Sequence, residues 1–329
     1  MKENRFIHNR EEIWRSYENA LDQYERTRKL QTSTSVEEFV DLYRAVSHDL
    51  TVARTRHYGA NLITRLNTLV LRGHNLVYFS RTGWLENIFR FYTNTFPREV
   101  RKHKKWVLTS LFLFTLPWLA VSYCISQSDT FIYTVMDRST VASFEQMYDP
   151  NSPLREIVRE EPLTRIQAFG RYIQNNTSIG LVVFVSGIGF GLLTIFVLLV
   201  NSVFLGSVFA HLTVIGFGST LYPFTIGHGA LELTAIVIAG AAGLRLAGAL
   251  YFPGTLGRQT ALRQGIREAM TLAAGFFTMF ILAAFIEAFW SPLSLPPPIV
   301  KYVVGGILWI LVISYFLFAG RNEISRLAG

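Results

Sequence analysis

Four ionisable side chains in this sequence lie where ionisable side chains are costly. His228 and Glu232 stand four residues apart in Gly227-His228-Gly229-Ala230-Leu231-Glu232, a spacing that puts both on one face of a helix. Glu287 sits alone in Ala284-Phe285-Ile286-Glu287-Ala288-Phe289, and His211 lies midway along the apolar stretch before His228. A charge at the centre of a membrane helix costs roughly 2.5–3.5 kcal/mol on the insertion scale, so it is kept where it pairs or lines a polar cavity. Imidazole and carboxylate together suit three arrangements. They can form a polar site within the bilayer for an ion, a proton or a lipid headgroup. They can ligate a metal, although the zincin pattern of two His at i and i+4 around a Glu is absent. They can also simply bond to one another and to backbone freed by the glycines between 216 and 229. His228, Glu232, Glu287 and His211 are therefore the candidate intramembrane polar site, with no catalytic residue, cofactor or bound metal expected.

The charge map shows why these residues are in a membrane at all. Of 31 Lys+Arg and 23 Asp+Glu, residues 1–105 hold 19 basic and 12 acidic, whereas residues 178–329 hold 7 and 4. About a quarter of residues are charged in a soluble protein, and the last segment falls far below that. A basic soluble part is thus joined to a membrane part. One cysteine, Cys124, leaves no intramolecular disulfide framework and no thiolate zinc cluster. The charged stretch 1–29 does not read as a cleaved export signal. The net charge of +8 borders the first apolar run, which points to membrane topology and not to nucleic acid.

That run, 106–125, is twenty residues long and follows Arg98, Arg101, Lys102, Lys104 and Lys105, a cluster that holds its N-terminal side in the cytoplasm. Residues 126–177 form an outer segment with a short helix near 139–148. Leu163, Ile166, Phe169 and Ile173 then mark an amphipathic helix lying at the membrane surface. No charged residue occurs from Ser178 to Ala230, room enough for two spans, which are placed at 179–200 and 203–222 with a break at Asn201-Ser202. Further spans are expected at 228–250, 269–290 and 299–319. Six spans put Arg258, Arg263, Arg267 and the tail on the cytoplasmic side; five result if 203–227 is re-entrant. Gly187, Gly189 and Gly191 in one span and Gly240, Gly243 and Gly248 in another favour close helix packing and self-association. Arg245, about 20 Å of helix from Glu232, is expected to snorkel inward, and Glu268 and Glu323 to lie in loop and tail.

Residues 1–97 read as a cytoplasmic helical bundle ending in an interfacial helix. Ile7, Trp14, Tyr17, Leu21 and Tyr24 share a helical stripe. Thr34-Ser35-Val36-Glu37-Glu38 offers capping boxes for a second helix with Phe39, Tyr43, Val46 and Leu50 on its face. Leu62, Leu66, Leu69 and Leu76 mark a third. Trp84, Leu85, Ile88, Phe89, Tyr92 and Phe96 form an aromatic helix suited to the headgroup level. The fold class expected is all-α: a polytopic membrane protein, residues 98–329, preceded by this bundle.

Three spaced motifs carry a family resemblance. Gly227-His228-Gly229-Ala230-Leu231-Glu232-Leu233 running into Ala239-Gly240-Ala241-Ala242-Gly243-Leu244-Arg245-Leu246 resembles the hallmark of the stage II sporulation protein M family. Tyr172-Ile173-Gln174-Asn175-Asn176 and Ile286-Glu287-Ala288-Phe289-Trp290-Ser291-Pro292 resemble it too, so that the likeness covers about residues 106–320. The resemblance implies a bacterial inner-membrane protein without an established enzymatic activity; the charge map is what places both termini in the cytoplasm. Founding members in spore formers anchor peptidoglycan-degrading partners at the septum. The hundred-residue N-terminal part departs from that pattern and is similar to longer relatives encoded beside AAA ATPases of the MoxR group. The expected role is a scaffold or anchor in an envelope-related assembly, in contact with membrane lipid, forming homo-oligomers and recruiting envelope proteins or a MoxR-type ATPase. The alternative is a transporter or lipid-handling protein acting through His228, Glu232 and Glu287.

Overall fold

Helical periodicity in the first hundred residues becomes three long helices: α1 (Glu3–Thr27), α2 (Val36–Thr55) and α3 (Ala60–Phe79). The computed structural model describes residues 3–27, 36–79, 84–152, 162–255 and 257–321. The chain divides into two compact units, Met1–Phe89 and Arg90–Gly329.

In the first unit the apolar stripes meet as the spacing predicts. Trp14, Tyr17 and Leu21 from α1, Phe39, Val46 and Leu50 from α2, and Leu62, Leu66 and Leu69 from α3 form one buried core. Asp49 is buried within it, and its Oδ2 accepts from both Arg10 Nε and Trp14 Nε1 at 2.8 Å. Arg65 reaches across to Glu11 at 3.0 Å and Glu18 at 3.3 Å. Arg65 is the main reason the Glu11 carboxyl is held below its ordinary range. The capping residues Thr34 and Ser35 lie outside the described residues.

The second unit is built on six long helices. After α4 (Trp84–Arg90), the chain makes a π-helical turn at Phe91–Thr95 and continues as α5 (Phe96–Lys102). The Phe96 N–H bonds back to Phe91 O, five residues away, directly before Pro97, which has no N–H to give. Then follow α6 (Lys104–Gln127), a 3-10 turn at Asp129–Thr134, α7 (Arg138–Tyr148) capped by Asp137, α8 (Pro162–Val185), α9 (Leu192–Val214), α10 (Gly218–Tyr251), α11 (Arg258–Phe289) and α12 (Pro298–Phe318). Five of these, α6 and α9 to α12, are long and apolar enough to cross a membrane.

Contacts along their lengths give the directions. Ser202 of α9 donates to Phe114 O and Gly206 faces Trp118, so α6 and α9 run the same way. Gly227 of α10 faces Ile286 of α11, and Gly265 of α11 faces Ala249 of α10, an antiparallel pair. Phe169 of α8 meets Phe289, and Gly180 meets Phe280, so α8 is antiparallel to α11. Gly305 of α12 faces Ile226, near the start of α10, while Val312 and Leu231 lie deeper. The six helices therefore alternate, with α6, α9 and α11 in one direction and α8, α10 and α12 in the other. At about 1.5 Å per residue, the 24 residues of α8 are as long as a span.

Two expectations need correction here. The break expected at Asn201-Ser202 is absent, because both residues are inside α9, where Asn201 Nδ2 bonds back to Val197 O at 2.8 Å. The chain turns instead at 186–191 and 215–217, so the glycines read as lying in one span form the α8–α9 turn. Phe190 and Gly191 there have φ of 57° and 75°, and Tyr251 Oη donates to Ile188 O at 2.6 Å. A turn whose backbone polar groups are satisfied by protein can itself be apolar, which hides it from a hydropathy reading. The amphipathic stretch 162–177 is likewise not a separate surface helix. It is the first two-thirds of α8, and its Phe169 packs against Phe285 and Phe289.

At the centre lies α10, buried on nearly all sides, with Ala235, Ala239, Gly240, Ala241, Ala242, Gly243, Ala247, Gly248 and Ala249 along its buried length. Small residues let neighbours approach closely where lipid supplies no ordinary hydrophobic drive. At Gly187 the approach has no slack: a Cβ there would stand 2.2 Å from Gly243 O, a backbone atom. Gly187→Ala should therefore lower the thermal midpoint of the purified chain, with overpacking of this kind costing about 1–3 kcal/mol. Gly306→Ala, at a position with nothing within 4 Å, should leave it unchanged. Equal midpoints for the two variants would refute the packing argument.

Candidate functional site

Each of three neighbouring helical stretches brings a pair of polar residues four positions apart to one place. They are Tyr172 and Asn176 from α8, His228 and Glu232 from α10, and Glu287 with Ser291 from α11 and the turn after it. Ligand atoms of His228, Glu232 and Glu287 all lie within 4.8 Å of one another. His228 is 5% exposed; its Nδ1 lies 3.1 Å from Ser291 Oγ, and its ring packs edge-on against Phe224 at 5.5 Å. Nε2 faces Glu232 Oε2 at 3.8 Å, beyond hydrogen-bond reach. Tyr172 stands close to both carboxylates, and Asn176 beside Glu287.

This cluster is incompletely satisfied. Glu287 Oε2 and Asn176 Nδ2 are buried without a hydrogen-bond partner, and Asn176 is 3% exposed. Among the described residues no Lys or Arg pairs with Glu232 or Glu287. A cavity of about 630 Å³ adjoins the cluster, sharing Tyr172, Phe224 and Ser291 with it, and Lys301 at its edge donates to Ser291 O at 2.7 Å.

His211 is placed elsewhere. It lies in the last turn of α9, not midway along a span, with Nε2 2.7 Å from Glu145 Oε1 of α7. The direction of α9 takes it to the end of the bundle, whereas His228 lies ten residues into α10.

A second polar cluster, not anticipated, occupies the opposite end of the α10–α11 hairpin. Glu268 is buried inside α11, not in a loop. Arg245, read as snorkelling, binds it through Nε at 2.8 Å and Nη2 at 2.6 Å; Lys102 Nζ lies at 2.6 Å and Gln264 Nε2 at 3.0 Å. Glu99 joins through Lys102 at 3.1 Å and His103 at 3.0 Å. Burial opposes ionisation of Glu99, but hydrogen bonds from His103 and Lys102 outweigh it and hold the carboxyl below the usual range. The sequence did hold a signal for the Arg245–Glu268 pair: the two are opposite in charge and flank the connection between one apolar stretch and the start of the next. For Asn176, Tyr172 and Ser291 the signal was membership of the motifs that flank the His-Glu motif.

The alternating helices and buried polar clusters define an all-α, polytopic membrane protein. The family model of Stage II sporulation protein M matches residues 108–292, more than half of the chain, and the chain belongs to that family. A second family model, described as a domain of unknown function (DUF8413), matches residues 4–79. No curated protein and no solved structure matches the chain.

Two outcomes test the Glu268 cluster. In a double-mutant cycle, Arg245→Ala and Glu268→Ala should be coupled by about 1–3 kcal/mol, and additive losses would show that the pair contributes nothing of its own. Glu99 has a depressed folded pKa, so its contribution is present above the ordinary carboxylate range and is lost as pH falls through the folded value. Acid melting curves of the Glu99→Gln variant should lack that part of the pH dependence.

Proposed function

We propose that this chain is a non-enzymatic anchor of the bacterial inner membrane, one that holds a soluble partner of an envelope-related assembly through its N-terminal helical unit. What carries the reading is the division of labour in the chain. Residues 4–79 match a family model of their own and build a core of their own, while the membrane unit matches another. A MoxR-type AAA ATPase is the candidate partner, on the strength of the family neighbourhood alone, and the membrane unit is taken to self-associate within lipid. Both termini are assigned to the cytoplasm. The alternating helices support this, since they bring Arg258, Arg263 and Arg267 to the same end of the bundle as Arg101, Lys102, Lys104 and Lys105.

A second reading, a transporter or lipid-handling protein, is favoured by one observation: the unpartnered Glu287 Oε2 and Asn176 Nδ2 in a buried site next to a cavity. Such atoms cost free energy unless something else satisfies them.

Substitution separates the two readings. As an anchor, the Glu232→Gln chain should still capture its cytoplasmic partner at the wild-type level, measured by co-purification of the intact chain from membranes. Loss of cellular function in a Glu232→Gln protein that folds and captures normally would favour the handling reading. Topology is checked at Thr260, in the first turn of α11. A reporter there should read as cytoplasmic, and an outside reading would overturn the orientation.

A further inference from the structure

The two polar clusters have similar donors and opposite charge balance. Around Glu268 and Glu99, the cations Lys102 and Arg245 already neutralise the carboxylates. Around Glu232 and Glu287 there are two carboxylates, one imidazole and, among the described residues, no cationic side chain paired to either acid. Two carboxylates held close together and partly out of water repel one another, and a cation or a proton between them relieves that repulsion.

The histidine is oriented for a ligand. In the tautomer that carries its proton on Nδ1, the ring donates to Ser291 Oγ, and Nε2 keeps its lone pair and faces Glu232 Oε2 at 3.8 Å. This is the usual outer-shell arrangement for a metal-binding imidazole, in which the second ring nitrogen is fixed by a hydrogen bond. The separations also fit. Nitrogen and oxygen ligands bind a first-row divalent ion at about 2.0–2.2 Å, so two ligands of one ion are at most about 4.4 Å apart. The 3.8 Å between His228 Nε2 and Glu232 Oε2 falls inside that limit. The 4.8 Å bound on the whole group exceeds it by a few tenths of an ångström, within the reach of side-chain adjustment.

Glu287 supplies the independent observation. Its Oε2 is buried without a hydrogen-bond partner. Asn176 stands almost fully buried beside it, and its Oδ1 already accepts from Asn175 Nδ2 at 3.1 Å, so the amide flanks the acid and adds no ligand. A cation shared by the two carboxylates would satisfy Glu287 Oε2.

We propose that His228 Nε2, Glu232 and Glu287 form a binding site for one divalent first-row transition ion of the Zn²⁺ or Mn²⁺ class. One imidazole with oxygen donors suits such ions, and two carboxylates neutralise a double positive charge. Ser291 is the positioning residue for His228. The adjoining cavity reaches the wall formed by Tyr172 and Ser291, next to the proposed ligands. The proposal rests on the polar-site reading above and names its ligand; it does not depend on the anchoring role of the N-terminal unit.

The test uses the full-length chain, purified in detergent, stripped with chelator and titrated with Co²⁺ as a spectroscopic probe and with Zn²⁺ in competition. One equivalent of Co²⁺ should produce saturable visible absorption that Zn²⁺ displaces. His228→Ala and Glu287→Gln should abolish it in protein that elutes as the wild type does. Ser291→Ala, which removes no ligand, should weaken affinity about 10–100-fold, the usual range for outer-shell partners, and keeps the test decisive if a ligand variant fails to fold. His103→Ala, in the other cluster, should bind as the wild type does. The absence of stoichiometric binding overturns the proposal, and so does binding that survives in folded His228→Ala and Glu287→Gln protein. If no ion binds yet folded Glu232→Gln protein loses function, the metal assignment fails while the polar-site reading stands.

Discussion

Everything in the membrane unit is arranged around a helix that has almost no side chains where it is most crowded. In lipid, apolar side chains gain little by leaving one apolar surround for another, so association depends on close contact and on hydrogen bonds. The Gly and Ala run from Ala239 to Ala249 makes α10 a thin rod. Against it, Gly187 approaches the Gly243 carbonyl, Ser110 and Leu198 fill the space at Gly240, and Trp106 covers Gly248. Phe96 uses the same device against α11, its ring filling the notch left at Gly275. The turn at 186–191 can lie at the depth of Gly243 only because this rod is thin.

Close packing also decides where polarity is tolerated. A polar residue on α10 must meet partners on the helices touching it, since neither water nor lipid intervenes. Arg245 finds Glu268 directly across the hairpin, and Arg101, at the same end, bonds to Phe316 O and Ala319 O. Those last carbonyls of α12 are the groups a helix end leaves unpaired, and a cation is favoured there. That end of the bundle is closed by charge-assisted bonds. The other end has the same kinds of side chain and no such closure.

How much of this was legible in the sequence follows from what each residue reports. Apolar stripes at three- and four-residue steps report a face, and Trp14, Val46 and Leu66 are in the core where that face must be. Absence of charge reports depth, and it identified His228, Glu232 and Glu287 as three of a kind. It reports boundaries poorly, because an apolar turn such as 186–191 is as free of charge as the spans on either side. It also underrates α8. Arg165, Gln167, Arg171 and Gln174 lower the hydropathy of that helix, yet it runs the length of its neighbours and delivers Tyr172 and Asn176 to the site. His211 was misplaced for a related reason: its depth depended on a break at Asn201-Ser202, and with the turn at 215–217 it moves to a helix end beside Glu145.

The hairpin of α10 and α11 thus carries one acid cluster at each end, and the difference between them is a matter of counter-charge. At Glu268 the counter-charge is covalently part of the chain, so its strength is fixed once the helices have packed. At Glu232 and Glu287 it is not, and the free energy of that end depends on what the surroundings supply. Satisfying Glu287 Oε2 from within would have needed only one more donor on α8 or α12, both already in contact with the hairpin. Lys301 of α12 is committed to the neighbouring Ser291 O at 2.7 Å. An arrangement that leaves Glu287 Oε2 buried and unpartnered beside a second acid is one in which the internal closure is incomplete and an external charge has a place to act.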